Sequence, residues 1–140
     1  MKNIYEVFDE FELAKSRKDK MMVIGKNLSK TLTQVLELAY HPQYQWLYHE
    51  MPVGYQVNQT PAGMGYTQLS VEIRKLYMFR KGDPTAEQLT PHKRTQLLVE
   101  FLQNLEPREA EVVMGIFNKD LGVPGLDYRF VKEAFPHLLP

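Results

Sequence analysis

Apolar residues at the start of the chain recur at helical spacing. Ile4, Val7, Phe8, Phe11 and Ala14 fall three or four positions apart, with Glu6, Asp9, Glu10 and Glu12 between them. This spacing puts the apolar set on one face of an amphipathic helix and the acids on its outer face. Ser16 with Asp19 three residues on has the spacing of a capping box, and it opens a second helix that turns Met21, Met22, Val23 and Ile24 inward. Asn27 is placed to end that helix as a left-handed cap. Ser29 then caps a third helix carrying Leu32, Val35, Leu36, Leu38 and Ala39, which stops before Pro42.

Tyr44, Trp46, Leu47 and Tyr48 form an aromatic cluster, read as a short helix reaching about Glu50. Met51 to Gly65 is the longest loop, because Pro52, Gly54, Pro61, Gly63 and Gly65 are too dense for a regular element. Thr67 is placed to cap a helix with Leu69, Ile73, Leu76, Tyr77 and Phe79 facing in and Gly82 as its C-cap; Asp83 and Pro84 begin a short turn. Thr90-Pro91 and Pro107 open two more helices, since proline at the first helical position forfeits no hydrogen bond. Their inner stripes are Leu97, Leu98, Phe101, Leu102 and Leu105, then Ala110, Val113, Met114, Ile116 and Phe117. Asp127 caps a last helix with Phe130, Val131 and Phe135. No segment alternates with a two-residue period, so the expected fold is all-α, a single domain over 1–140 with about six to eight helices.

Composition supports one core and no more: 140 residues, of which 44% are hydrophobic, suit one ordinary domain. Cysteine is absent, which removes disulfides, thiolate metal sites and cysteine nucleophiles. No export signal and no apolar run of membrane-spanning length is visible, so the expected setting is a cytoplasm, and no membrane partner is expected. His41, His49, His92 and His137 form no helical ligand pair, and His49-Glu50 lacks the second histidine of a zincin. Ser16, Ser29 and Ser70 sit at or in helices, so no nucleophile elbow exists. Gly63-Met64-Gly65 and Gly122 to Gly125 lack the phosphate-loop pattern and its preceding strand. Asp9 and Glu10 fit a solvated acidic face better than an acid-base pair. The expectation is a protein that is not an enzyme and has no cofactor.

Lysine plus arginine number 17, as do aspartate plus glutamate, a zero sum that by itself argues against a polyanion partner. The distribution changes this picture. Lys15, Arg17, Lys18, Lys20, Lys26 and Lys30 face only Asp19 in their stretch, and Arg74, Lys75, Arg80 and Lys81 face no acid. Acids gather at Glu6 to Glu12 and at Glu100 to Glu111, where Arg108 is the only basic residue. Polyanion binding depends on local contacts rather than net charge, so one basic face is enough for it. Long helices also need solvated charged faces, and the charge pattern alone leaves both readings open.

The string Val113-Met114-Gly115-Ile116-Phe117-Asn118-Lys119-Asp120-Leu121-Gly122-Val123, continuing to Val131-Lys132-Glu133-Ala134-Phe135-Pro136-His137-Leu138-Leu139, resembles the end of the N-terminal helical DNA-binding domain of bacteriophage-type ATP-dependent DNA ligases. Thr31 to Tyr40, with Tyr44, Trp46 and the Pro52-Val53-Gly54 loop, is similar to that domain's third helix and following loop, and Ser16-Arg17-Lys18 to the start of its second. The resemblance implies an all-α domain that lies across the minor groove and touches phosphates through backbone amides and basic side chains, which positions without reading sequence. The DNA contacts it implies are Lys119, Gly122, Gly125 and Arg129 around the last turn, Ser16, Arg17, Lys18 and Lys20 at the start of the second helix, and Gly54 in its loop. Arg74 and Lys75 of the second basic patch and Lys132 of the last helix complete the candidate set. Pro124 and Asp127 depart from what a phosphate contact would favour, the first by removing an amide donor and the second by its charge. The ligase's catalytic Lys-x-Asp-Gly is absent, since Lys119-Asp120-Leu121-Gly122 has the wrong spacing and Lys81-Gly82-Asp83 lacks the glycine.

Two functions follow. The first is a non-catalytic, sequence-tolerant protein that binds intact or nicked double-stranded DNA in phage replication, repair or transcription. The alternative is an adaptor for a host or phage replication or transcription protein, such as a polymerase or clamp, using Tyr44, Trp46, Tyr48, Tyr55 and Tyr66 as interface anchors.

Overall fold

The computed structural model describes residues 2–57 and 66–140. The elements are α1 (Ile4–Leu13), α2 (Arg17–Lys26), α3 (Lys30–Tyr40), α4 (Leu69–Glu72), a 3-10 segment (Ile73–Phe79), α5 (Pro84–Gln88), α6 (Pro91–Gln103), α7 (Pro107–Phe117) and α8 (Tyr128–Ala134). The fold is all-α, and the strand-like pairings among the described residues are two isolated bridges, Trp46 with Arg80 and Thr67 with Leu105. Pro61, Gly63 and Gly65, on which the long-loop expectation partly rests, lie outside the described residues.

Side chains fix the helix starts. Ser16 Oγ accepts from Asp19 N at 3.0 Å, Ser29 Oγ from Leu32 N at 3.1 Å, Thr90 Oγ1 from Lys93 N at 3.2 Å and Asp127 Oδ1 from Phe130 N at 2.9 Å. Each such bond satisfies an otherwise orphaned amide and contributes about 1 kcal/mol. The core centres on α3 against α7, where Leu32, Val35, Leu36 and Ala39 are buried with Ala110, Val113, Ile116 and Phe117. Trp46 stacks on Phe117 with ring centroids 5.1 Å apart, and Phe79 packs beside Phe117 and edge-on to Phe101. A second aromatic joint, Phe11 edge-on to Phe130 at 5.1 Å, ties α1 to α8.

Five local expectations are corrected. Tyr44 to Glu50 is not helical: Leu47 N donates to Phe79 O at 3.0 Å and Lys81 N to Gln45 O at 2.8 Å, so pairing with a distant segment overrides local helix formation. Thr67 does not cap α4; Gln68 holds that position, while the Thr67 hydroxyl donates to Glu72 Oε1. After Glu72 the helix tightens to 3-10, whose period of about three residues aligns Ile73, Leu76 and Phe79 on the buried side and leaves Tyr77 exposed. On α2, Val23 and Ile24 are buried but Met22 is exposed, and Asn27 has φ −104° rather than a left-handed conformation. The Asn27 side chain ends the helix instead, donating to Val23 O and Glu10 Oε1, both at 2.9 Å.

Candidate nucleic-acid interface

The start of α2 lies against the segment leading into α8, which brings together candidates more than a hundred residues apart in sequence. The Arg17 guanidinium sits 5.2 Å from the Phe130 ring centroid and ion-pairs with Glu133. Lys20 crosses the Phe11 ring, with Nζ 4.7 Å from its centroid, and donates to Phe11 O at 2.8 Å. Gly125, at φ +85°, fits against this stem: a Cβ there would meet Phe11 at 3.7 Å and Lys20 at 3.8 Å. Lys18 and Arg129 are exposed and in no ion pair among the described residues. Arg17, Lys20 and Gly125 thus meet along one seam between α2 and α8, and Ser16, Lys18 and Arg129 belong to the same two elements. Both partners of the Arg17–Glu133 pair are about half exposed, and such a pair is worth only about 0–1 kcal/mol, so an incoming phosphate can take the place of Glu133.

The turn after α7 is built differently although it carries the same residue types. Lys119 N donates to Ile116 O and Asp120 N to Gly115 O, the paired closure of a Schellman motif, with Lys119 at φ 59° in the position glycine usually fills. Left-handed backbone costs a lysine about 1–2 kcal/mol. The side chain supplies the return: Lys119 Nζ donates to Leu38 O at 3.1 Å and His41 O at 2.8 Å, closing the C-terminal end of α3 with a cation where the helix dipole favours one. Burial pulls this ammonium down to about 8. Gly122 N is taken by Asp120 Oδ1 at 2.9 Å, and the Tyr40 hydroxyl accepts from Leu121 N and donates to Leu126 O. Burial pushes the Tyr40 phenol up to about 12. Lys119 and Gly122 are therefore already engaged, and pin the turn to α3.

The remaining candidates are dispersed. Lys75 ion-pairs with Glu72, Arg74 lines a hollow against α3, and neither that hollow nor the one lined by Lys75 includes a seam residue. Lys132 Nζ donates to Leu139 O at 2.9 Å and Pro136 O at 3.3 Å, holding the C-terminal segment on which buried Leu139 sits. Gly54 is at φ +101°, and its carbonyl accepts from Gln103 Nε2. Lys26 is neutralised by Glu10, which Lys2, Lys26 and Asn27 together hold down to about 2. The second basic stretch is therefore not part of the seam, and the first contributes mainly its beginning.

The acidic stretches are ligated rather than merely solvated. Arg108 grips Asp9 with two bonds of 2.7 and 2.6 Å, and its guanidinium lies 4.6 Å from the Tyr5 ring centroid. Glu109 is buried, 4% exposed, and its Oε2 accepts from Leu69 N at 3.2 Å. Burial pushes its carboxyl upward against the Leu69 and Asn3 hydrogen bonds. It lines a hollow of about 660 Å³ with Asn3, Asn27, Ser29 and Gln68. The sequence signal for it is slight: a glutamate at the third position of a proline-started helix reads as a solvated first-turn acid. The anchors foreseen for a protein partner are also reassigned. Trp46 is 3% exposed and Tyr44, Tyr48, Tyr55 and Tyr66 are half-buried, whereas the exposed apolar side chains are others, Leu13, Met22 and Leu28 among them.

Among the described residues no group of three or more histidine, aspartate or glutamate side chains is placed to hold a metal, and no helix is long and apolar enough to cross a membrane. What fold and seam define is an all-helical domain in which the start of α2 packs against α8. The chain belongs to DUF6433, a family of unknown function whose model matches residues 7–123. That stretch takes in Ser16 to Lys20, Lys119 and Gly122, and ends before Gly125, Arg129 and Lys132. No curated protein matches the chain.

Proposed function

We propose that the protein is a non-catalytic, sequence-tolerant binder of double-stranded DNA that grips the phosphate backbone along the α2–α8 seam. The observation that carries this reading is the convergence of Arg17 and Lys20 of α2 with the Gly125 turn and α8, from opposite ends of the chain, with the exposed Lys18 and Arg129 in the same two helices. Cations on flexible stems can follow a backbone of either sequence, and nothing at the seam is shaped to read base edges. The resemblance to the ligase DNA-binding domain supports the same reading at Ser16 to Lys20, Gly125 and Arg129, and we place phage DNA replication, repair or transcription as the setting. Lys119 and Gly122 drop out of the proposed contacts because their donors are already used.

The test is affinity for intact and nicked duplex as a function of salt. Three to four phosphate contacts predict that log affinity falls against log salt with a slope of about −3. Charge reversal at Arg17, Lys18 and Arg129 together should abolish binding while leaving the thermal midpoint within a few degrees. A flat salt response, or retention of binding by the triple variant, refutes the seam as the DNA contact.

A further inference from the structure

The outward face of α2 is covered by nothing in its own chain. Lys18, Met22 and Gly25 follow one another at steps of four and three residues, which sets them in one row along the helix, and all three are exposed, Met22 by 61%. Arg17 and Lys20 fall outside this row and turn toward the seam. Glycine weakens a helix relative to alanine, and the monomer has no use for one here. A Cβ at Gly25 would meet no atom of the chain within 4 Å, and the backbone there is not left-handed. A glycine beside an exposed methionine on a free helix face is what a second helix needs in order to cross closely.

The charges on either side of the row identify that helix. By the helical period Lys18 and Gly25 lie to one side of Met22, and Asp19 and Lys26 to the other. Two copies of α2 laid antiparallel about a two-fold axis at Met22 therefore put Asp19 of each against Lys26 of the other. They also lay the Lys18 stem of each over Gly25 of the other, with its ammonium at the carbonyls that end the helix, where the dipole favours a cation. Asp19 is in no ion pair among the described residues, and Lys26 is paired with Glu10, which keeps Lys2 and Asn27 when Lys26 leaves. A lipid surface laid on the same row would instead bring negative charge onto Asp19. We propose that the outward face of α2 binds a second copy of this chain, as an antiparallel pair of α2 helices centred on Met22. The exposed Leu13 and Leu28 stand beyond the two ends of α2, and the antiparallel arrangement brings the Leu13 end of one copy to the Leu28 end of the other. One helix per copy is a small interface, so the dimer is weak and depends on concentration.

The experiment follows the mass of the full chain by sedimentation equilibrium from dilute to concentrated solution, without nucleic acid, so that it succeeds or fails independently of the DNA reading. The mass should rise from monomer to dimer and no further, because a two-fold contact closes on itself. Met22→Lys should abolish the rise. Gly25→Ala should weaken the dimer by about tenfold while leaving the thermal midpoint of the monomer unchanged or higher, a split that damage to the fold does not produce. Asp19→Lys and Lys26→Asp should each weaken association, and an equimolar mixture of the two variants should recover it, since every facing pair is again opposite in charge. A chain that stays monomeric at every concentration, whether or not vesicles of anionic lipid bind it, overturns the proposal. So does a mass that climbs past the dimer, a dimer that Met22→Lys or Gly25→Ala leaves intact, or a mixture that fails to recover association.

Discussion

The α2–α8 seam and the turn after α7 share residue types, lysine and glycine beside an aspartate, and the resemblance to the ligase domain implies DNA contacts at both. They differ in what the polar groups already hold. At the turn, Lys119 spends its ammonium on two carbonyls of α3, and the amides of Leu121 and Gly122 are taken by Tyr40 and Asp120. Hydrogen bonds from a charged donor contribute about 1.5–3 kcal/mol, so releasing Lys119 to a phosphate would cost the fold more than an exposed phosphate contact returns. At the seam Arg17 has a half-exposed pair and a ring contact to give up, Lys20 holds a single carbonyl, and Lys18 and Arg129 are in no ion pair among the described residues. A basic residue becomes available to a ligand by being left unfinished by the fold, and this difference separates the two regions more clearly than charge does.

The sharpest way to break the comparison is Gly115→Ala. A Cβ at Gly115 would stand 3.0 Å from Leu121 Cα and 3.2 Å from Asp120 O, backbone atoms that cannot swing aside. Helix propensity favours alanine by about 1 kcal/mol, but overpacking costs about 1–3 kcal/mol, and with backbone as the obstacle the overpacking wins. Denaturant unfolding should show a net loss of about 1–2 kcal/mol. DNA affinity measured well below the midpoint should be unchanged. A more stable alanine variant would mean that the turn does not pack closely on α7, and the contrast with the seam would collapse.

Lys119 tests the same point through its donor rather than through packing. Lys119→Met keeps the stem but strips the donor from Leu38 O and His41 O, and should cost about 1–2 kcal/mol. Lys119→Gly loses the same donor but relieves the left-handed backbone, recovering about 1 kcal/mol. Neither variant should alter duplex affinity or its salt slope. Should both bind DNA several-fold more weakly at full foldedness, the turn is a phosphate contact after all.

Legibility in the sequence follows the range of the interactions. Helix starts were readable because Ser16, Ser29, Thr90 and Asp127 each act on an amide three residues away. The core stripes of α1, α3 and α7 were readable because burial follows the helical period. The Tyr44 to Glu50 segment was not, because its partner is the exit of the 3-10 segment, more than thirty residues on, and no local pattern encodes that pairing. The part of Lys119 in the fold is hidden for a related reason: its carbonyl partners lie about eighty residues earlier, so nothing near it marks it as a helix closure. The seam was half legible. Its residue types can be named, but that Arg17 meets Phe130 and Glu133 while Arg74 does not join them follows a long-range contact, Phe11 of α1 against Phe130 of α8.

The finest test of the comparison is Glu133→Gln, which removes the carboxylate that competes for Arg17. The pair is about half exposed on both sides, so its loss should shift stability by less than about 0.5 kcal/mol. DNA affinity, which every substitution at the turn leaves unchanged, should here rise about threefold at low salt, because Arg17 no longer exchanges one anion for another and a repulsive charge leaves the seam. The gain should shrink as salt screens it, since the Debye length falls to about 8 Å at physiological ionic strength. Unchanged affinity would place the duplex away from the α8 side of the seam and restrict the contact to the first turn of α2.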